Sequence, residues 1–195
     1  MKLIAGLGNY PEKYRFTRHN IGYDFIEYFR ENNFLSQNYE NANLSEFFQI
    51  KYAREDIIFV RPHTYMNLSG DCILKFCSKM QIKPENILII HDDLDIEFGK
   101  LKIGFNKGDG GHNGISSVIS NIGKKFYRLR VGIFSETFRI ENKTDYVLDR
   151  FTEENMKIIG KNLYPDIEEI VKIFMKGNIV HAINKFNSVR RAKNE

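Results

Sequence analysis

Short apolar runs alternate with helical patterns along the first part of the chain. The run "KLIAGL" predicts a buried strand that ends in a turn at "GNYPEKY". Phe25, Ile26 and Phe29 then share one face of a predicted helix. The polar "SQNYENANL" predicts a loop, while "EFFQIKYA" and "DIIFVRP" predict two strands that pair as a hairpin around a turn at residues 54–56.

The second part of the chain repeats the alternation. From Met66 apolar residues recur at helical spacing until Pro84 stops the pattern, and "NILIIHDDLD" then predicts a strand that runs into acidic residues. The strand pattern "KLKIGF", the glycine-rich "NKGDGGHNG", a short helix over residues 115–122 and the strand "YRLRVGIF" follow. A late amphipathic helix is marked by Ile167, Ile170, Val171 and Phe174, and the basic tail "KFNSVRRAKNE" is predicted to fray.

Strands that alternate with helices, with one hairpin among them, predict an α/β fold. We expect a twisted, mixed and mostly parallel sheet with helices on both faces. The length of 195 residues and the hydrophobic content of 42% suit one core, so residues 1–195 are predicted to form a single domain with a frayed end at residues 190–195.

Composition narrows the location and the partners of the chain. Lys and Arg outnumber Asp and Glu by 29 to 25, and the sequence pI of about 8.9 is compatible with a polyanionic partner. Cys72 and Cys77 lie five residues apart in a helical pattern, so they suit neither a disulfide nor a metal site. Since no run approaches the roughly 18 apolar residues of a membrane span, we expect a cytoplasmic protein.

Polar residues collect in the loops that follow predicted strands. In open sheets of this type, ligands bind beyond the carboxyl ends of the strands. Four loops each offer a histidine or an asparagine there, and Asn20 is in addition predicted to cap the first helix. The relevant stretches are "GNYPEKYRFTRHN", "HTYMNLSG", "HDDLD" and "GDGGHNG".

His19 and Asp92 form the candidate catalytic pair. A carboxylate at a strand end can accept a proton from one imidazole nitrogen, orient the ring and leave the other nitrogen to deprotonate water. Ser69 stands in a helical pattern without a nucleophile-elbow signature, which favours direct attack by water over a covalent intermediate. Amide side chains could then hold the substrate and stabilise an oxyanion; the candidates are Asn9, Asn67 and Asn113.

Two other kinds of site compete with this interpretation. A metal site could draw on His91, Asp92, Asp93, Asp95 and His112, but neighbouring strand residues face opposite sides and no histidine pair has the spacing of a zinc motif. Gly6 and Gly8 after a strand suggest dinucleotide binding, but Pro11 occupies the position of the third glycine. Both alternatives are weaker than the histidine–aspartate pair.

Five segments resemble the bacterial-type peptidyl-tRNA hydrolases in order and spacing: "GLGNYPEKYRFTRHNIG", "RPHTYMNLSG", "IHDDLDIEFGKLKI", "GDGGHNGISSVI" and "YRLRVGI". The resemblance implies an esterase, without metal or cofactor, that cleaves the bond between a peptide and the terminal ribose of tRNA. His19 would be the catalytic base and Asp92 its partner. Asn9, Asn67 and Asn113 would bind peptide, ester and attacking water, Tyr14 and Met66 would line the peptide cleft, and His112 would support the site.

The resemblance further implies that Lys102 and Arg130 contact tRNA phosphates. Two departures from the family pattern stand beside these sites. Tyr10 and Pro11 replace a Pro-Gly pair, and Gly104 replaces a second basic residue, for which Lys100 or Lys107 could substitute. We expect a monomer. A non-catalytic RNA-binding relative and an esterase for another acylated nucleotide remain the alternative functions.

Overall fold

One seven-stranded sheet forms the centre of the part of the chain that the structure, a computed structural model, describes: residues 1–135 and 143–188. The strand order is β2-β3-β4-β1-β5-β7-β6. The strands are β1 (Lys2–Gly6), β2 (Glu40–Ala42), β3 (Ser45–Tyr52), β4 (Glu55–Pro62), β5 (Ile87–Glu97), β6 (Leu101–Phe105) and β7 (Tyr127–Phe134).

Helices cover both faces of this sheet. They are α1 (Ile21–Asn33), α2 (Ser69–Met80), α3 (Asn113–Ile122), α4 (Lys143–Leu148), α5 (Glu153–Ile158), α6 (Tyr164–Met175) and α7 (Ile179–Ser188). Buried residues of α1, α6 and α7 pack on one face, and those of α2 and α3 pack on the other. Among the described residues, none of the helices has the length and apolar character needed to span a bilayer.

The predicted α/β fold with a mixed sheet is confirmed. Parallel pairing lies at the centre, where β1 pairs with β4 and β5, and β5 pairs with β7. The flanks are antiparallel, because β3 pairs with β2 and β4, and β6 pairs with β7. Residues 3–5 of β1 and residues 87–90 of β5 are continuous apolar runs, as expected for strand segments that are covered on both faces.

Three local predictions were wrong. The polar stretch predicted as a loop contains β2, which is held by pairing with β3 rather than by an apolar pattern of its own. The hairpin turns at Ala53 and Arg54, whose φ angles are positive, so Glu55 and Asp56 already belong to β4. Residues 185–188 of the tail continue α7, and the remainder of the predicted frayed end, residues 189–195, lies outside the described residues.

The first helix begins in close contact with the central strands. A Cβ on Gly22 would lie only 2.2 Å from the carbonyl oxygen of Ile90, so only glycine fits there. That same carbonyl accepts a hydrogen bond of 3.0 Å from the backbone N–H of Leu7. The 3₁₀ turn Arg18–Asn20 directly precedes α1 and is thereby placed beside the end of β5.

The edge strand β6 is covered by the last described helix. The side-chain amide of Asn187 on α7 donates to the carbonyl oxygen of Ile103 at 2.9 Å, and its oxygen accepts from the N–H of Ile103 at 3.2 Å. One side chain therefore satisfies both outward-facing backbone groups of this residue.

Candidate active site

His19 and Asp92 meet where two central elements end. The Nδ1 atom of His19 lies 2.9 Å from Oδ1 and 3.0 Å from Oδ2 of Asp92. The His19 side chain is 12% exposed and that of Asp92 is 2% exposed, so the pair is open to solvent only from the histidine side. Because an ionised carboxylate only accepts, Nδ1–H donates and Nε2 of His19 carries the lone pair.

His112 is the second donor to the same carboxylate. Its Nε2 lies 2.9 Å from Oδ1 of Asp92, while its Nδ1 accepts a hydrogen bond of 3.2 Å from the backbone N–H of Ile115 and so caps α3. Accepting at Nδ1 and donating at Nε2 fixes His112 as a neutral ring. A proton added to His112 would break the helix cap, whereas a proton added to Nε2 of His19 breaks none of the described bonds.

The pKa values of the pair move in opposite directions. Burial would raise the pKa of Asp92, but the adjacent His19 and His112 hold it well below its usual range. Burial alone would lower the pKa of His19, but the charge and hydrogen bond of Asp92 outweigh it and raise the pKa above its ordinary value. Asp92 is therefore anionic, and His19 beside it is more basic than an isolated histidine.

His91 lies beneath this pair in the interior. Its Nδ1–H donates to the backbone carbonyl of Asp92 at 2.7 Å, and its ring packs edge-on against His112 with centroids 4.7 Å apart. Burial lowers the pKa of His91 well below its ordinary value. A neutral His91 therefore supports the Asp92 backbone without adding charge.

Asn9 is oriented from two sides. Its Oδ1 accepts from the N–H of Met66 at 2.9 Å, which leaves its NH₂ group as a donor. The side chain of Asn20 binds both the N–H and the carbonyl of Asn9, each at 2.9 Å. Asn20 occupies the predicted N-cap position of α1, but its side chain makes no bond to the start of the helix, because the backbone of Asn9 occupies its amide.

All of the predicted catalytic and substrate residues line one cleft of about 450 Å³. They are Asn9, Tyr14, His19, Met66, Asn67, Asp92, His112 and Asn113. Met66 is buried, whereas Asn67 and Asn113 are exposed and present their amides at the surface of the cleft. Tyr14 stands edge-to-face with Tyr65, with ring centroids 6.5 Å apart.

Helix α4 forms a wall of the cleft that the sequence interpretation missed. Its residues Lys143, Thr144, Val147 and Leu148 line the cleft. The helix contacts the 3₁₀ turn Arg18–Asn20 through Arg18, whose Nη1 donates to the carbonyl of Tyr146 at 3.1 Å and whose guanidinium lies 4.1 Å from the ring of Tyr146. A helix of six residues carries too short an apolar pattern to be found by periodicity.

Lys102 and Arg130 lie outside this cleft. They are cross-strand partners on β6 and β7 and line a neighbouring space of about 600 Å³, here called the basic pocket, together with Lys107 and Arg128. Nε of Arg130 donates to Oδ2 of Asp93 at 2.5 Å. Asp93 lines both the basic pocket and the cleft, so the two spaces adjoin.

The proposed metal ligands do not gather as one set. Asp93 is engaged by Arg130, and Nδ1 of His91 by a backbone carbonyl. Within the described residues, His19, Asp92 and His112 are close enough to ligate an ion, with their ligand atoms within 4.8 Å of one another. The nitrogens concerned already hydrogen-bond the carboxylate, so this geometry supports a proton-transfer site better than a metal site.

Comparison with known proteins shows which family has this sequence pattern and architecture. A family model described as peptidyl-tRNA hydrolase matches residues 3–195. The chain belongs to the peptidyl-tRNA hydrolase family. Curated members from Pseudothermotoga lettingae and Wolinella succinogenes are each 38% identical to it, over 96% and 92% of the chain and 97% and 90% of their own lengths.

A solved peptidyl-tRNA hydrolase from Acinetobacter baumannii shares the fold. It is 31% identical, with a TM-score of 0.87 over 96% of this chain and 94% of its own. The predicted membership in the peptidyl-tRNA hydrolase family is thus confirmed over nearly the whole chain.

Proposed function

We propose that this chain hydrolyses the ester bond between a peptide and the terminal ribose of tRNA, and so recycles tRNA after abortive translation. Membership in the peptidyl-tRNA hydrolase family supports the reaction. The observation that carries the mechanism is the His19–Asp92 pair, joined at 2.9 Å and open to a cleft lined by three asparagines.

His19 is proposed as the general base. Its Nε2 takes a proton from water as the water oxygen attacks the ester carbonyl, and that proton then passes to the ribose oxygen as the ester bond breaks. The products are a free peptide carboxylic acid and a tRNA with a free ribose hydroxyl. Asp92 keeps the ring in the productive tautomer and stabilises the imidazolium that forms. The double donation to Asp92 keeps that carboxylate anionic throughout.

The asparagines and their neighbours are proposed to bind the substrate. The NH₂ group of Asn9 is pre-oriented by Met66, so it can donate to an oxygen of the peptide or ester without reorganisation. Asn67 and Asn113 are assigned to the ester and the attacking water. Tyr14 and Met66 provide apolar contact area for the peptide.

The basic pocket is proposed to receive tRNA phosphates. Lys102 and Arg130 are neighbours across β6 and β7, and Lys and Arg contacts to phosphate position a nucleic acid without reading its sequence. Since the pocket adjoins the cleft, a backbone phosphate and the acylated end can be bound together.

We also infer that the enzyme works as a cytoplasmic monomer and a single domain, without cofactor or metal. Residues of one copy supply the whole proposed site. Cys72 and Cys77 are free thiols in the structure, as suits a reducing compartment.

Release of N-acetylated amino acid from full-length tRNA tests this proposal, measured with and without EDTA. We expect release by the wild type that EDTA does not reduce. His19→Ala should lower kcat by roughly 10²- to 10⁴-fold, the usual contribution of a positioned base, while circular dichroism stays unchanged. His181→Ala, at an exposed histidine of α7, is the matched control.

Wild-type turnover in folded His19→Ala protein would refute the assigned base. Loss of activity in EDTA that added metal restores would favour the His19, Asp92 and His112 metal site instead. No release by the wild type, with tRNA still bound, would favour the non-catalytic RNA-binding relative.

A further inference from the structure

The glycine-rich loop of residues 106–112 borders both the cleft and the basic pocket. It leads from the end of β6 to the start of α3 and carries Lys107 near one end and His112 at the other. Gly110 within it lines both spaces. The conformation of this loop therefore sets where its residues lie in the cleft and in the basic pocket.

The loop has little packing of its own. A Cβ on Gly108, Gly110 or Gly111 would meet no atom within 4 Å, and Gly110 and Gly111 have φ angles of +64° and +76°. Glycine gains more backbone freedom than any other residue when contacts are lost. Inside the loop, Oδ1 of Asp109 accepts from the N–H of Gly111 at 3.0 Å. The first half of the loop therefore depends on neighbouring elements to keep one conformation.

Arg128 on β7 fixes the middle of the loop. Its Nη1 donates to the carbonyl oxygen of Gly108 at 2.6 Å. Its cross-strand partner on β6 is Gly104, and the loop folds back over this position: Cγ of Lys107 lies 3.5 Å from where a Cβ on Gly104 would be, a distance of ordinary contact. The glycine that breaks the family's basic pattern thus lies beside the Lys107 side chain.

Arg128 is an unusual residue to bury. It is 4% exposed, and among the described residues no carboxylate oxygen lies within 4.0 Å of its guanidinium. Burial, with Arg130 as a further cause, lowers its pKa. Asp93 and Asp109 line the same pocket and offset part of the cost of burying this cation. The hydrogen bond to the Gly108 carbonyl satisfies one of the guanidinium donors.

We propose that Arg128 is a positioning residue for ester hydrolysis, which holds the loop at Gly108 so that Lys107 faces the basic pocket while His112 and Asn113 face the cleft. The expected effect on kcat rests on the proposed function, whereas the expected effect on the loop conformation does not. A residue that only contacted phosphate would act on the binding of full-length tRNA. A positioning residue also acts on substrates that never reach the basic pocket.

Arg128→Met tests the inference, since it keeps most of the side-chain stem and removes the donor. Hydrogen–deuterium exchange should show faster exchange in residues 106–113, with β7 and the centre of α3 still protected. On a short acylated RNA fragment kcat should fall about tenfold or more, because a displacement of roughly 1 Å at a catalytic group costs up to about 10²-fold. Lys125→Met, at an exposed lysine three residues away, is the matched control.

Arg128→Lys keeps the positive charge and offers a shorter hydrogen-bond donor to the Gly108 carbonyl. We expect its loop protection and its kcat on the fragment to rise together above those of Arg128→Met. Unchanged loop exchange in Arg128→Met overturns the positioning role even in a protein without hydrolase activity, so this failure is distinguishable from failure of the proposed function. A rise in KM for full-length tRNA with unchanged kcat on the fragment would overturn it as well, in favour of a phosphate contact alone.

Discussion

At the scale of single residues, one carboxylate organises the proposed active site. Asp92 accepts from His19 and His112, and its backbone carbonyl accepts from His91. These three histidines differ in their proposed roles because each ring makes different hydrogen bonds. Of these three, His19 is the residue that lines the cleft and can take up a proton on Nε2 without breaking one of the described hydrogen bonds.

The raised pKa of His19 makes the acid limb of the pH–rate profile a test of Asp92. A base with a raised pKa is protonated, and therefore inactive, up to a higher pH. Asp92→Asn removes the charge that raises the pKa of His19 and leaves burial, which lowers it. We expect kcat/KM to fall by roughly 10²- to 10⁴-fold and its acid limb to move to lower pH.

Profiles of kcat/KM measured on both sides of about pH 6.5 check this shift. Asp95→Asn removes an exposed carboxylate of the same cleft and should shift the limb less. An acid limb at unchanged pH in Asp92→Asn would show that Asp92 does not set the pKa of the base.

At the scale of elements, the close contact of α1 with β5 positions His19, the proposed base. Gly22→Ala would drive a methyl group into the Ile90 carbonyl, which lies 2.2 Å from the new atom. We expect a loss of about 1–3 kcal/mol in the free energy of unfolding, as for other overpacked sites, and a fall in kcat as the turn with His19 moves.

Denaturant unfolding measures this loss, and Gly160→Ala is its control. Gly160 lies in the π-helical turn Ile159–Leu163, where an added Cβ meets no atom within 4 Å. It should be neutral or stabilising by up to about 1 kcal/mol. Equal stability of the two variants would refute the close-contact argument.

The elements that the sequence predicted are those with a long local pattern. "YRLRVGIF" was predicted as a strand and is β7 without a change of bounds, because eight residues of apolar and basic alternation suffice. β2 and α4 were missed, since three and six residues hold no period and depend on contacts with β3 and Arg18. Asn20 lies at the predicted N-cap position, but its amide binds the backbone of Asn9 instead of the start of α1, and that contact could not be predicted from local sequence.

The grouping of the candidate site residues could be predicted from the strands that precede them. All of the residues proposed for catalysis and substrate binding line one cleft because the carboxyl ends of β1, β4 and β5 share one edge of the sheet. The fixed neutral ring of His112 and the engagement of Arg130 by Asp93 could not be predicted, since both depend on distances between side chains.

At the scale of the whole molecule, the proposed function divides substrate recognition between the cleft and the basic pocket. Lys102→Ala should raise KM for full-length acylated tRNA more than for a short acylated fragment, because only the former spans both spaces. It should also reduce the slope of log affinity against log salt by about 1, as for the loss of one phosphate contact.

Steady-state kinetics at several salt concentrations measure both effects. Lys79→Ala, at an exposed lysine of α2, is the control for the loss of one positive charge. Equal rises in KM on both substrates would show that Lys102 does not contact a tRNA phosphate.

The pairing of Asn187 with Ile103 has a consequence for self-association. A sheet edge with open donors and acceptors is a template for another extended peptide, including a second copy of the same strand. The Asn187 side chain of α7 makes the two hydrogen bonds that a neighbouring strand would make at the middle of β6. A chain shortened before α7 would leave the backbone groups of Ile103 open, and we expect such a chain to aggregate through this sheet edge.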